Sequence, residues 1–206
     1  MSVRLEWRDC RELIEPACDW RTCGLAAVRL SAHVNLRRTK IVELMVRLAS
    51  PEDLPAIVDI YNDAVDDRFA TADLRPVTVS DRKRWFEAHD PSSFPIYVFE
   101  DQGAVRGWCS LSSYRSGREA VLGTAEISYY VGRRSRNRGV GTALVQSAVL
   151  SASQLGKRVL FGILLERNQA SIRLMQKCGF ELWGRLPDVA LIDGVLVSHL
   201  YYGRLV

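Results

Sequence analysis

No stretch of this 206-residue chain is apolar for the length of a membrane span. Its N-terminus carries no uninterrupted apolar run followed by a small-residue cleavage site, so neither a membrane partner nor secretion is expected. Histidine is scarce, with three in the chain, and the five cysteines (Cys10, Cys18, Cys23, Cys109 and Cys178) form no C-x-x-C pair and no zinc-type spacing with histidine. An odd set of thiols in no framework reads as reduced cysteines of a cytoplasmic protein, and no metal is expected. Internal repeats and low-complexity tracts are absent too. A strong charge imbalance is also missing: the net charge is +4, and residues 1–44, with eight Lys/Arg against six Asp/Glu, hold half of it. A dedicated nucleic-acid binder is usually more basic and more clustered, so no nucleic-acid partner is expected; an anionic small ligand fits the excess at least as well.

What is present suits one ordinary domain with an appendage. Apolar residues make up 48% of the chain, enough for a core, and 25% are charged. Residues 1–44 hold three of the cysteines and two tryptophans without sustained periodicity. They read as a weakly ordered extension or as the product of a start codon upstream of Met45, which leaves residues 45–206 as the domain. There a short strand (46–49) meets Ser50 as a helix cap, Pro51 at the first helical position and Asp53 three residues on. Leu54, Ile57, Val58 and Tyr61 mark one helical face. A second helix is expected over 80–89, then a hairpin around Asp101-Gln102-Gly103 and a strand at 124–131. Val140, Leu144, Ala148 and Leu155 line a helix that stops at Gly156. The apolar run 158–165 reads as a buried, parallel-type strand, followed by a helix over 168–178 and strands at about 181–186 and 195–205. The order is that of a mixed α/β sheet in one domain.

The most pointed segment is "RRSRNRGVG" (133–141), placed between a strand and a helix. The first amides of a helix lack internal partners, and the helix dipole adds partial positive charge there. Gly139 and Gly141 let backbone approach a ligand closely, which makes an anion site suited to a pyrophosphate. A solvated Arg-rich turn is the plain alternative. The segment lacks G-x-G-x-x-G, and three strands precede it where a dinucleotide fold would have one.

Arg136-x-x-Gly139-x-Gly141 resembles the acyl-CoA signature of the GNAT N-acetyltransferases, and "LERNQASIRLMQKCGFELWG" resembles that superfamily's second landmark. The likeness is closest to the phosphinothricin acetyltransferase-like branch, through "IYNDAV" (60–65), Arg82-x-x-Trp85, Pro95-x-x-Val98, "GWCSLSSYR" (107–115), "TAEISYYV" (124–131) and "RNQASIRL" (167–174). It runs from about Val46 to the C-terminus. The resemblance implies a mixed, mainly antiparallel central sheet flanked by helices, acetyl-CoA as cosubstrate and a homodimer. It implies that the loop Arg136, Asn137, Arg138, Gly139, Val140, Gly141 and Thr142 holds the pyrophosphate. It further implies that Tyr129, Tyr130 and Val131 pair with the pantetheine arm, and that Asn168 and Ser171 assist from the next helix. Asn168 equally reads as a plain helix cap.

The resemblance makes Glu126 the general base. An ammonium has no lone pair with which to attack a thioester, so its proton must pass to a carboxylate within reach. Tyr114, Arg115 and Ser116 match the branch's substrate loop, and Arg115 would suit a substrate carboxylate. Two departures stand out. Met175 occupies the position where the branch has His and many GNAT enzymes have Tyr, which removes the obvious acid for the departing thiolate or simply fills core. Leu196-Val197-Ser198, with His199 after it, replaces a Trp and a polar pair, so the aromatic wall and polar hook for a phosphinothricin-like substrate are expected to be missing. The reading is direct acetyl transfer to a small, amino-acid-like primary amine; the alternative is a non-catalytic acyl-CoA sensor of the same fold.

Overall fold

The apolar spacing of the sequence resolves into strands and helices in nearly the expected order. The computed structural model describes residues 45–206, and the extension expected over residues 1–44 lies outside them. Strand β1 (Val46–Leu48) turns at Ser50, whose N–H donates to Asp53 Oδ2 at 2.8 Å. Arg47 closes the corner by pairing with the same carboxylate at 2.7 Å and holds it below the usual carboxylate range. Helix α1 (Leu54–Asp67) then buries Leu54, Ile57, Val58 and Tyr61, the face that the spacing predicts. Helix α2 (Val79–Glu87) starts one residue before the expected Ser80, because Thr78 caps it: Thr78 Oγ1 accepts from Asp81 N, and Asp81 Oδ2 accepts from Thr78 N.

Strands β2 (Ile96–Asp101) and β3 (Ala104–Ser113) form the expected hairpin, with Gln102 and Gly103 both at positive φ (52° and 72°). They are followed by β4 (Thr124–Val131), helix α3 (Val140–Ala152) and strand β5 (Val159–Leu165). Helix α4 (Gln169–Lys177) and strands β6 (Glu181–Ile192) and β7 (Val195–Leu205) complete the domain. Strand β6 runs well past the expected 186. Pro187 and Asp188 lie in an irregular stretch between Leu186 and Ala190, where the ladder shifts register. Such a break is tolerated because β6 is the sheet's edge, where a proline need not donate.

The sheet order is β1-β2-β3-β4-β5-β7-β6, with only β4 and β5 parallel. Its mixed, mainly antiparallel form matches the expectation. Alternation along each strand splits the core into two layers. One face of β4 and β5 sends Ala125, Ile127 and Leu160 beneath α3 and α4, where Leu144 and Met175 are wholly buried. Each such large apolar side chain contributes about 1.5–3 kcal/mol. The opposite face packs Trp108 and Tyr130 under α1 and α2, with Trp108 Nε1 donating to the Ile57 carbonyl at 3.0 Å. Glu126 and Phe161, adjacent across the parallel pair, sit on this second face.

Candidate active site

Registered pairing between β4 and β5 covers three positions, the last of them Glu126 opposite Phe161. Past that point β4 stays bonded to β3 as far as Val131, but its β5-facing edge has no strand partner. A cleft of about 410 Å³ opens along this edge between the N-termini of α3 and α4. Of the predicted cofactor residues, Tyr129, Tyr130, Val131, Arg136, Asn137, Gly139, Val140, Gly141, Thr142, Asn168 and Ser171 all line it; Arg138 does not.

The floor at α3 is backbone. Gly139 precedes the helix at φ +87°, a conformation that side chains with a Cβ rarely adopt. The first bond within the helix runs from Ala143 N to Gly139 O at 2.9 Å, so the amides of Val140, Gly141 and Thr142 have no helical partner. A Cβ on Gly141 would stand 2.6 Å from Leu174 Cδ1 and 3.5 Å from Val131 Cγ2, so the strand edge and the next helix close in here. The unpaired amides, dipole and open backbone together fit a pyrophosphate.

The arginines divide their work. Arg133 is bound to the acidic end of α1: its Nε donates to Asp67 Oδ1 at 3.0 Å and its backbone N–H to Asp63 Oδ2 at 3.1 Å. Arg136 Nε donates to the Val131 carbonyl at 3.1 Å. Its Nη2 lies 2.6 Å from Asp67 Oδ2 but off the angle of a directed hydrogen bond, a contact of charge. Asp67 thus ties two of the loop's arginines to α1. Asp67→Asn is expected to lower unfolding free energy by about 1 kcal/mol, since all three side chains keep some solvent contact. Urea denaturation measures this, and titration with coenzyme A should show a several-fold weaker fit to the loosened loop.

Asn168 meets the capping expectation: its Oδ1 accepts from Ser171 N at 3.2 Å, and the residue lines the cleft. Tyr129 donates to the Ser171 carbonyl at 3.4 Å, and burial pushes its phenol well above its ordinary pKa. Met175 is wholly buried against Gly162, where a Cβ would stand 3.0 Å from its Cε, so it fills core.

Glu126 is half-buried and lies at the last registered pair before the strands part. Burial raises its pKa above the ordinary glutamate value. Opposite it on β3 is Ser112, whose Oγ is 3.3 Å from His89 Nε2; His89 Nδ1 is 2.7 Å from the Trp85 carbonyl, which makes it the donor. Burial lowers the His89 pKa, favouring a neutral ring that accepts from Ser112. Tyr114 and Arg115 follow β3 directly: the Tyr114 ring meets Phe161 edge-on at 4.9 Å, and the Arg115 guanidinium lies 5.6 Å from the Tyr114 ring. Ser116 is exposed on the same loop. Ser198 is buried, its Oγ 3.3 Å from Asp188 N. His199 sits on β7 between Leu165 and Leu186, half-buried, with its pKa lowered by burial.

Sequence reasoning missed several lining residues. Arg173 and Lys177 reach the cleft one turn apart on α4, and helical spacing from Ala170 could have found them. Phe69 arrives through the left-handed Arg68 (φ 60°) and carries no local signal.

Comparison with known proteins converges on one family. The model of the acetyltransferase (GNAT) domain matches residues 43–181. A Bacillus subtilis (strain 168) protein provisionally named a phosphinothricin acetyltransferase, YwnH, is 42% identical over 162 residues, 78% of this chain and 98% of that one. The L-methionine sulfoximine/L-methionine sulfone acetyltransferase of Pseudomonas paraeruginosa (strain DSM 24068 / PA7) is 37% identical over 145 residues, 70% of this chain and 84% of that one. The crystal structure of a GNAT superfamily phosphinothricin acetyltransferase from Sinorhizobium meliloti in complex with acetyl-CoA superposes with a TM-score of 0.74 at 28% identity, covering 78% of this chain and 87% of that one.

Proposed function

Since this chain belongs to the acetyltransferase (GNAT) family and is an N-acetyltransferase, we propose that it moves an acetyl group from acetyl-CoA directly to the primary amine of a small, amino-acid-like substrate, with Glu126 as the base. The observation that carries this reading is the parting of β4 from β5 immediately after Glu126. The parting frees the strand edge beside the backbone anion cradle; Glu126 does not itself line that cleft but stands at the last registered pair before it.

The amides of Val140, Gly141 and Thr142 hold the pyrophosphate, with Arg173 and Lys177 adding charge from α4. The free edge of Tyr129–Val131 bonds the pantetheine amides as a neighbouring strand would. When bound, acetyl-CoA supplies an activated acyl group whose thiolate leaves readily. Glu126 takes the ammonium proton before attack, and its raised pKa brings its basicity closer to the task. Arg115 pairs with the substrate carboxylate. No side-chain acid is assigned at Met175, because a thiolate leaves without one.

Two further features belong to this reading. The outer part of the β6–β7 hairpin exposes Leu186, Val189, Leu191, Val195 and Leu196, a surface suited to a second copy of the chain. The free, buried thiols of Cys109 and Cys178 suit the reducing cytoplasm.

A panel of amino acids and analogues, mixed with acetyl-CoA and followed by thiol release, tests the proposal. Turnover is expected with α-amino acids and not with nucleic acid or acidic peptides. Tight coenzyme A binding without turnover of any amine would overturn the catalytic reading in favour of a sensor.

A further inference from the structure

The sequence led to the expectation that this chain has no aromatic wall for its acceptor, because Leu196 stands where the branch has tryptophan. The structure sets Tyr114, which the substrate-loop motif marked, beside aromatic side chains on the Glu126 face that the sequence had not assigned to the site. Phe161, the register neighbour of Glu126, is 5% exposed and is packed between Tyr114, edge-on at 4.9 Å and 82°, and Tyr201, nearly parallel at 6.2 Å and 13°. One cross-strand position further, Gly203 has its side-chain space taken by the indole of Trp183: a Cβ there would stand 2.1 Å from the ring. Trp183 occupies the register shift in β6 between Leu182 and Gly184, and about half its surface faces solvent.

These rings come from four separate segments: the loop after β3, the middle of β5, the bulge of β6 and the end of β7. Phe161 is the buried member that fixes Tyr114 and Tyr201, and those two keep accessible surface. The polar side chain nearest this row on β7 is the half-buried His199, two residues from Tyr201 on the same face; the replaced triplet itself supplies none. Ser198, the one polar residue of Leu196-Val197-Ser198, is 1% exposed and directs its Oγ toward Asp188. Arg115 sits at the Tyr114 end, so a charge and an aromatic surface adjoin on one side of the base.

We infer that the acceptor is an α-amino acid with an aromatic or flat apolar side chain, held against Tyr114 and Tyr201 over the Phe161 support, with its carboxylate toward Arg115. The inference rests on the acetyl-transfer reading and adds to it the class of side chain. Aromatic surfaces attract other rings edge-on or offset, and the loss of the hook at Leu196-Val197-Ser198 removes a partner for a sulfoximine or phosphinyl group.

The experiment compares kcat/KM for L-phenylalanine, L-alanine and L-methionine sulfoximine at saturating acetyl-CoA, using the full chain. L-Phenylalanine is expected to exceed each of the others by about tenfold or more. Phe161→Leu and Tyr114→Ala are each expected to reduce that ratio by about threefold to tenfold, mainly through KM, while the coenzyme A dissociation constant stays the same. Tyr114 lies on an exposed loop, so its variant reports even if the buried Phe161 variant fails to fold. Turnover of L-alanine or L-methionine sulfoximine at least as efficient as that of L-phenylalanine overturns the aromatic class and leaves acetyl transfer intact. An unchanged ratio in Tyr114→Ala overturns the placement of the ring. Absence of turnover with every amine overturns both readings.

Discussion

Replacing Glu126 by glutamine is expected to lower kcat by about 10²–10⁴-fold, the usual contribution of a positioned general base. That range corresponds to about 2.7–5.5 kcal/mol of barrier. The amide keeps the shape of the side chain and the register of β4, so the coenzyme A dissociation constant should not move. Isothermal titration and initial rates on the same preparation separate the two effects. The pH profile gives a second readout. Burial raises the Glu126 pKa, so the carboxylate needed for catalysis is present above that raised value and lost as pH falls through it. The acid limb of kcat/KM for the native chain should therefore lie above the ordinary glutamate range, and Glu126→Gln should lose that limb. An unchanged kcat in the variant would remove Glu126 from the chemistry and leave its burial a structural fact only.

The second large effect is expected at the proposed pyrophosphate cradle. In Gly141→Val the new Cβ meets Leu174 Cδ1 at 2.6 Å, and the two added methyl groups must find room in a crowded helix start. Leu174 can move, but only at the expense of the cleft that it lines. Displacing the helix start breaks one or more amide-to-phosphate bonds, each worth about 1.5–3 kcal/mol when the acceptor is charged. Coenzyme A affinity should fall by about 10–100-fold, with kcat at saturation much less affected. Gly139→Ala tests another property of the loop. Its Cβ would meet nothing within 4 Å, so its cost is purely the backbone strain of φ +87°, about 1–2 kcal/mol. Equal affinities in Gly141→Val and the native chain would show that the anion sits elsewhere.

Much of this was legible in the sequence because the signals are local. Ser50 with Asp53, and the apolar spacing from Leu54 to Tyr61, fix the first helix by contacts within a few residues. That residues 129–131, 136–142 and 168–171 belong together was legible for the same reason: these short segments, each tied to a helix start or a strand edge, line one cleft, which is proposed to hold the cofactor. The partners of Arg133 were not legible: Asp63 and Asp67 lie some seventy residues earlier, beyond any local signal. The aromatic row was hidden still more deeply. Tyr114, Phe161, Trp183 and Tyr201 share no spacing, and only the sheet order sets them side by side. The length of β6 was missed because Pro187 looks like a terminator until the strand is known to be an edge.

The short ladder between β4 and β5 also has a mechanical meaning. Strands β1 to β4 form one bonded half of the sheet and β5 to β7 the other, and three registered pairs plus the overlying helices join them. Such a seam is the natural boundary between cooperative units of local opening. On the proposed reading a cosubstrate lies along this seam and acts as mortar, adding bonds to the half that ends at Val131 and to the helix that follows β5. Occupancy then couples the two halves, and the chain's resistance to opening rises with the logarithm of coenzyme concentration. The gap proposed to admit the acyl donor is then also the place where the supply of that donor sets how firmly the enzyme holds together.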